Sequence, residues 1–266
     1  MANVDDLRGF INKIHAVNTV ACNVPQVLDS LDITVSSVPT INLYLFELVQ
    51  NALDAGADSI EVQVTGLSAE EMPTATESAL KSQRLVFLHN GPGGLGKTDQ
   101  HVRGMSNVFQ STKSVGSVGF MGFGFKTLYK RFASVSVSDC NGWKFGFDVP
   151  EKIVALHPQP ASAGRSSPTM DIVLKTRGWI GAVCPTWDDS IAAPDGDSFS
   201  TKFELSQVVS ATFGHLLMED VNEALFSGGM TALAVLGSQG LRKLKIIDTS
   251  APSQTRLFEL VSLEEK

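Results

Sequence analysis

The sequence predicts an α+β fold, a two-layer α/β sandwich whose mixed, mostly antiparallel sheet carries helices on one face. Three observations carry this. An early segment places Leu45, Leu48, Val49 and Ala52 at i, i+3, i+4 and i+7, the stripe of an amphipathic helix. Residues 60–64 and 135–137 alternate with period two, as half-buried strands do. Asn141-Gly142 is a hairpin turn signal ahead of 143–147. Helices and hairpins interleaved in one segment point to helices covering a sheet.

The elements follow in order. A short helix is expected near 5–14, then mixed polar and β-branched sequence to 40. The helix at 43–55 ends at Gly56, a natural C-terminal stop. Ile60-Glu61-Val62-Gln63-Val64 is a strand with one wet face. Residues 66–82, rich in Ser, Thr, Ala and Glu, read as a surface insertion. Leu85-Val86-Phe87-Leu88 is a short buried strand entering the turn Gly91-Pro92-Gly93-Gly94. Thr98 can cap a short helix to about Phe109. Residues 111–124 are glycine-rich, and 125–132 read as helical. Strands follow at 135–137, 143–147, 172–174 and 203–205, with loops at 158–168 and 185–200. Ser206 is expected to cap a helix running towards Phe226, and 244–247 to form a late strand. Arg242-Lys243-Lys245, alternating with Leu244 and Ile246, fits the wet face of an edge strand.

Composition narrows the function classes. The chain has 266 residues, one large domain or two small ones, and its 43% hydrophobic content supports a packed core. Lys plus Arg is 21 against 28 Asp plus Glu, a net charge of −7, so charge indicates neither nucleic acid nor anionic membrane as a partner. No basic start followed by an apolar run marks a signal peptide, and no transmembrane stretch is visible, so the expected compartment is cytoplasmic or nuclear. Cys22, Cys140 and Cys184 stand apart and read as free thiols. His101, His157 and His215 are isolated, without partners at metal spacing.

Three constellations carry chemistry. Glu47, Asn51 and Asp54, spaced by four and three residues, share one side of the 43–55 helix opposite its aliphatic stripe. No basic residue lies between Ile41 and Ala57. Read alone, this is either a solvated face or a site facing a cavity, where a carboxylate orients water and an amide oxygen ligates magnesium. His89-Asn90-Gly91-Pro92-Gly93 follows a buried strand and, alone, is any tight turn. Gly119, Gly122 and Gly124 stand just before a helical pattern, where successive N–H groups make an anion site, with Lys113 and Lys126 flanking. The spacing is GxxGxG, neither a dinucleotide fingerprint nor a Walker A loop.

Taken in order, FELVQNALDAGA (46–57), HNGPG (89–93), STK (111–113) and GFMGFGFK (119–126) resemble the GHKL ATPase superfamily, named for gyrase, the heat-shock chaperone, histidine kinase and MutL. The combination is most similar to sacsin-like, heat-shock-chaperone-like ATPase domains. The resemblance spans about 41–205, more loosely to 248. It implies 1–40 as an N-terminal extension, 41–248 as an ATP-binding domain, and 249–266 as a tail or the start of a following region.

The resemblance implies the Bergerat fold and the cofactors ATP and magnesium. Glu47 matches the general base that activates water; Lys126, read from the residues, is either a phosphate-stabilising cation or the first-turn residue of a helix. Asn51 matches the magnesium-binding asparagine, and Asp54 a polar support position. Gly91 and Gly93 match the glycines beneath the adenine, and His89 and Asn90 beside them belong to the expected nucleotide-binding set. Gly119, Gly122 and Gly124 match the phosphate-binding lid hinge, and Ser111, Thr112, Lys113 and Phe125 complete the expected nucleotide-binding set. Thr201 matches a late-strand threonine backing the adenine pocket. One departure stands out: many members have Asp where this chain has His89. The implied activity is magnesium-dependent ATP binding with slow hydrolysis, coupled to lid closure. The alternative is a nucleotide-gated interaction module with little turnover. A homodimer formed through the lid or the N-terminal segment is the implied partner. Histidine kinase fits less well, because those enzymes usually lack Glu four positions before the metal-binding Asn.

Overall fold

A computed structural model describes residues 3–21, 40–96, 98–106, 124–148, 181–194, 198–209, 212–226, 237, 240–250 and 255–259. The expected strand at 172–174 and the loop at 158–168 lie outside these residues. Among the described residues eight strands form one sheet: β1 (Ser59–Thr65), β2 (Arg84–His89), β3 (Phe132–Asp139), β4 (Lys144–Asp148), β5 (Thr186–Trp187), β6 (Thr201–Val208), β7 (Lys243–Asp248) and β8 (Arg256–Glu259). Their order is β5-β4-β3-β6-β2-β1-β7-β8. Among these strands β1 and β7 pair in parallel, and the other neighbours are antiparallel. The fold is therefore an α+β two-layer sandwich on a mixed, mostly antiparallel sheet.

Period-two alternation sorts the sheet into two faces. Cross-strand registers align Phe145, Val137, Phe203, Phe87, Val62 and Ile246 in one row facing the core. The opposite face carries charge: Lys245 pairs with Glu61 at 2.9 Å, and Lys202 with Glu204 at 3.2 Å.

Helices α1 (Val4–Ala21), α2 (Leu43–Asp54), α3 (Glu77–Ser82), α4 (Gln100–Ser106) and α5 (Leu217–Phe226) accompany the sheet. Leu7, Ile11 and Ile14 of α1 enter the same core as the apolar stripe of α2 and the inner sheet face. α1 is longer than the expected 5–14 helix, and its apolar side belongs to the main core. The insertion at 66–82 contains a 3-10 turn, Met72–Thr74, and α3, which is capped by the Thr76 side chain accepting from the Ala79 amide.

Two expectations are corrected. Ser206 does not cap a helix: it sits in β6 opposite Ser134, and α5 begins at Leu217. The alternation from Thr201 to Val208 outweighs the capping signal. β7 is not an edge strand, because β8 covers it. Its lysines do lie on the wetter face, where Lys243 is exposed and Leu244 is buried.

A buried ion pair locks α5 to the sheet. Arg131 is wholly buried; its Nε donates to Asp220 at 2.8 Å, and its remaining nitrogens donate to the carbonyls of Thr212 and His215. Removing one partner of such a pair costs about 3–5 kcal/mol, because the other charge stays buried. Burial pushes the Asp220 carboxyl above its ordinary range, against the pull of Arg131. The Tyr44 hydroxyl of α2 lies 3.5 Å from Asp220, so the network reaches the helix that carries Glu47.

Candidate functional site

The site is built around the polar side of α2. Its stripe, Tyr44, Leu45, Leu48, Val49 and Ala52, is buried. This fixes the rotation of the helix and leaves Glu47 and Asn51 half-buried on the other side, with Asp54 exposed. A 3-10 turn, Gly124–Lys130, packs against α2. Gly124 opens that turn, and a Cβ there would fall inside the Glu47 carboxylate. A side chain there would have to displace that flexible carboxylate. At the other end of the helix, a Cβ on Gly91 would stand 2.9 Å from the Ala55 carbonyl oxygen. From Glu47 to Ala55 the helix rises about 12 Å at 1.5 Å per residue. One helix thus spans both glycine motifs, with Asn51 between them.

Beneath its C-terminal end the inward sheet face turns polar. Register places Ile60, His89, Thr201 and Asp139 in one row. His89 is 5% exposed, and its Nδ1 accepts the Gly91 N–H at 3.1 Å. Burial lowers its pKa to about 4, so the imidazole is neutral at physiological pH. The ring stacks on Phe203 at 6.3 Å and 24°, and Phe203 in turn lies 6.4 Å from Phe125, the neighbour of Gly124. Thr201 is wholly buried, and its Oγ1 has no hydrogen-bond partner among the described residues. Asp139 is saturated: it accepts from the amides of Leu95, Asn141 and Trp143 and from the Asn141 side chain. Burial raises its carboxyl pKa nonetheless.

The structure brings Glu47 and Gly124 together towards one end of α2 and His89, Gly91 and Thr201 together at the other, with Asn51 on the helix between them. Other expected site residues have structural places. The Asn90 side chain clamps β1, accepting from the Asp58 and Ser59 amides and donating to the Asp58 carboxylate at 2.6 Å. Asp54 accepts from Gln50 one turn earlier. Gly93 adopts φ +82° in the turn, and its carbonyl accepts from Asn141. Phe125 belongs to the core, 5.4 Å from Phe147.

The expectation for Lys126 as a phosphate-stabilising cation is corrected. It is 1% exposed, and its ammonium donates to the carbonyls of Met105, Ser106 and Ala182. Apolar walls from Phe125 and Phe147 and the carbonyl-bearing end of α4 give that cation a structural seat. Ser111, Thr112, Lys113, Gly119 and Gly122 lie outside the described residues.

Sequence reasoning missed Asp139 and Ser200. Asp139 continues the inward phase of Val135 and Val137, so the alternation could have found it. Ser200, whose hydroxyl donates to the Gly91 carbonyl at 2.6 Å, left no sequence signal. Among the described residues no group of three or more His, Cys, Asp or Glu is placed to hold a metal ion. None of the helices among those residues is long and apolar enough to cross a membrane. No protein-family model matches the chain, and no curated protein matches it.

Proposed function

We propose that this chain binds a purine nucleoside triphosphate with magnesium along the polar side of α2 and hydrolyses it slowly, ATP being the nucleotide that the GHKL resemblance implies. The observation that carries the reading is the seating of Gly124 on Glu47, which joins two motifs far apart in the sequence. Two further features fit such a ligand. The buried Thr201 hydroxyl lacks a partner among the described residues, and glycine closes on the helix at each end of the polar side.

In this reading Asn51 is the side chain that holds the metal, through its amide oxygen, a hard ligand suited to magnesium. The ion, when bound, offsets charge on the triphosphate oxygens. Glu47 orients a water and accepts its proton as the water oxygen bonds to the terminal phosphorus and the bond from that phosphorus to the bridging oxygen breaks, releasing inorganic phosphate and the nucleoside diphosphate. His89 and Thr201 meet the base. The saturated ammonium of Lys126 withholds one source of charge stabilisation. That observation favours low turnover and keeps a second reading in view, a nucleotide-gated interaction module.

Binding and phosphate release measured on one preparation test both. Glu47→Ala is expected to retain nucleotide binding and lose turnover by about 100-fold or more. Asn51→Ala is expected to lose the magnesium dependence of binding. Equal turnover by wild type and Glu47→Ala removes Glu47 from the chemistry. Binding without phosphate release in wild type selects the gated module.

A further inference from the structure

Resting on the nucleotide reading above, we infer that the polar row at the C-terminal end of α2 selects a base with a lactam edge, guanine or hypoxanthine, over adenine. The donors and acceptors along the row set this preference. A neutral imidazole has one donor nitrogen and one acceptor nitrogen. In His89 the acceptor is Nδ1, taken by the Gly91 N–H, so the proton sits on Nε2 and that atom can only donate. The ring cannot readily exchange its two nitrogens, because it is 5% exposed, stacked on Phe203 and tied through Nδ1 to the turn. Thr201 stands directly across from His89, and its unpartnered hydroxyl supplies one donor and two acceptor lone pairs. Asp139, next in the row, has both carboxylate oxygens occupied by N–H donors. The row therefore offers two donor hydrogens and hydroxyl lone pairs, and no open carboxylate.

A lactam edge uses all of these. Its carbonyl oxygen has two lone pairs, which accept from Nε2–H and from the threonine hydroxyl, and its ring N–H donates to Oγ1. An adenine edge has a single ring lone pair beside an amino group. It satisfies one of the two donors and leaves the other buried and idle. An unmatched buried polar group costs enough to lower affinity by about 10-fold to 100-fold.

The test is competition among non-hydrolysable analogues of GTP, ITP and ATP, each with magnesium, for the wild-type chain. The guanosine and inosine analogues are expected to bind at least about tenfold tighter than the adenosine analogue. Inosine lacks the 2-amino group, so its agreement with guanosine assigns the preference to the lactam. Thr201→Val, nearly the same shape without the hydroxyl, is expected to narrow the gap. His89→Asp, which replaces the donor with an acceptor, is expected to reverse it. The wild-type comparison decides even if a variant fails to fold. Equal affinities, or tighter adenosine binding, overturn the inference and leave the nucleotide reading standing. Binding of none of the three overturns both.

Discussion

The Glu47 carboxylate occupies the space in which a side chain on residue 124 would begin. The acid of α2 and the last glycine of the GFMGFGFK segment are therefore one structural unit. Gly124→Ala tests this directly. A methyl group must either push Glu47 aside or lift the 3-10 turn from α2. The displaced atoms are the end of a flexible side chain, so the cost lies at the low end for overpacking, about 1 kcal/mol, and urea denaturation reads it. Turnover per folded molecule is expected to fall towards that of Glu47→Ala. Unchanged stability and turnover would show that the two residues are not packed as described.

Lys126 separates a structural cation from a phosphate ligand. Lys126→Met keeps the aliphatic stem and leaves the carbonyls of Met105, Ser106 and Ala182 without their donor. The expected outcome is a loss of about 1–3 kcal/mol in unfolding free energy, with nucleotide affinity of the folded fraction little changed. The opposite pattern, intact stability and a tenfold weaker Kd, would return Lys126 to the phosphates.

His89 makes stability depend on pH. Its pKa is lowered by burial from the ordinary 6.5 to about 4, so between these values the unfolded chain takes up a proton that the folded chain refuses. The neutral ring's contribution is full above about pH 6.5 and is lost as pH falls towards 4, amounting to about 3 kcal/mol across that window. Asp139 and Asp220, whose carboxyls are raised, act in the opposite sense, since their folded forms hold protons longer as pH rises. The His89 part is therefore read as a difference. The unfolding free energy of wild type minus that of His89→Phe, measured from pH 7.5 to 4.5, should fall as pH falls. Parallel curves would mean that the imidazole is not buried and neutral.

Strong local periodicity made much of the fold legible. The stripe of α2, the run of β2 and the Asn141-Gly142 turn between β3 and β4 all stand where the pattern places them. Ser206 misled because a capping residue inside an alternating strand looks locally like a helix start. β5 and β8 are short and take their identity from neighbours, Trp187 from Phe145 and Phe258 from Leu244. At the site, the i, i+4 spacing of Glu47 and Asn51 survives because helix geometry alone sets it. Lys126 could not be judged from sequence: its acceptors are backbone carbonyls contributed by α4 and by Ala182. The Thr201–His89 pairing likewise exists only through strand register.

The most direct measurement is a calorimetric titration of the wild-type chain with non-hydrolysable guanosine and adenosine triphosphate analogues, with and without magnesium. The account predicts saturable one-to-one binding of at least one analogue, strengthened by magnesium and stripped of that dependence in Asn51→Ala. No heat of binding from either analogue at millimolar concentration, in protein shown to be folded, would contradict it.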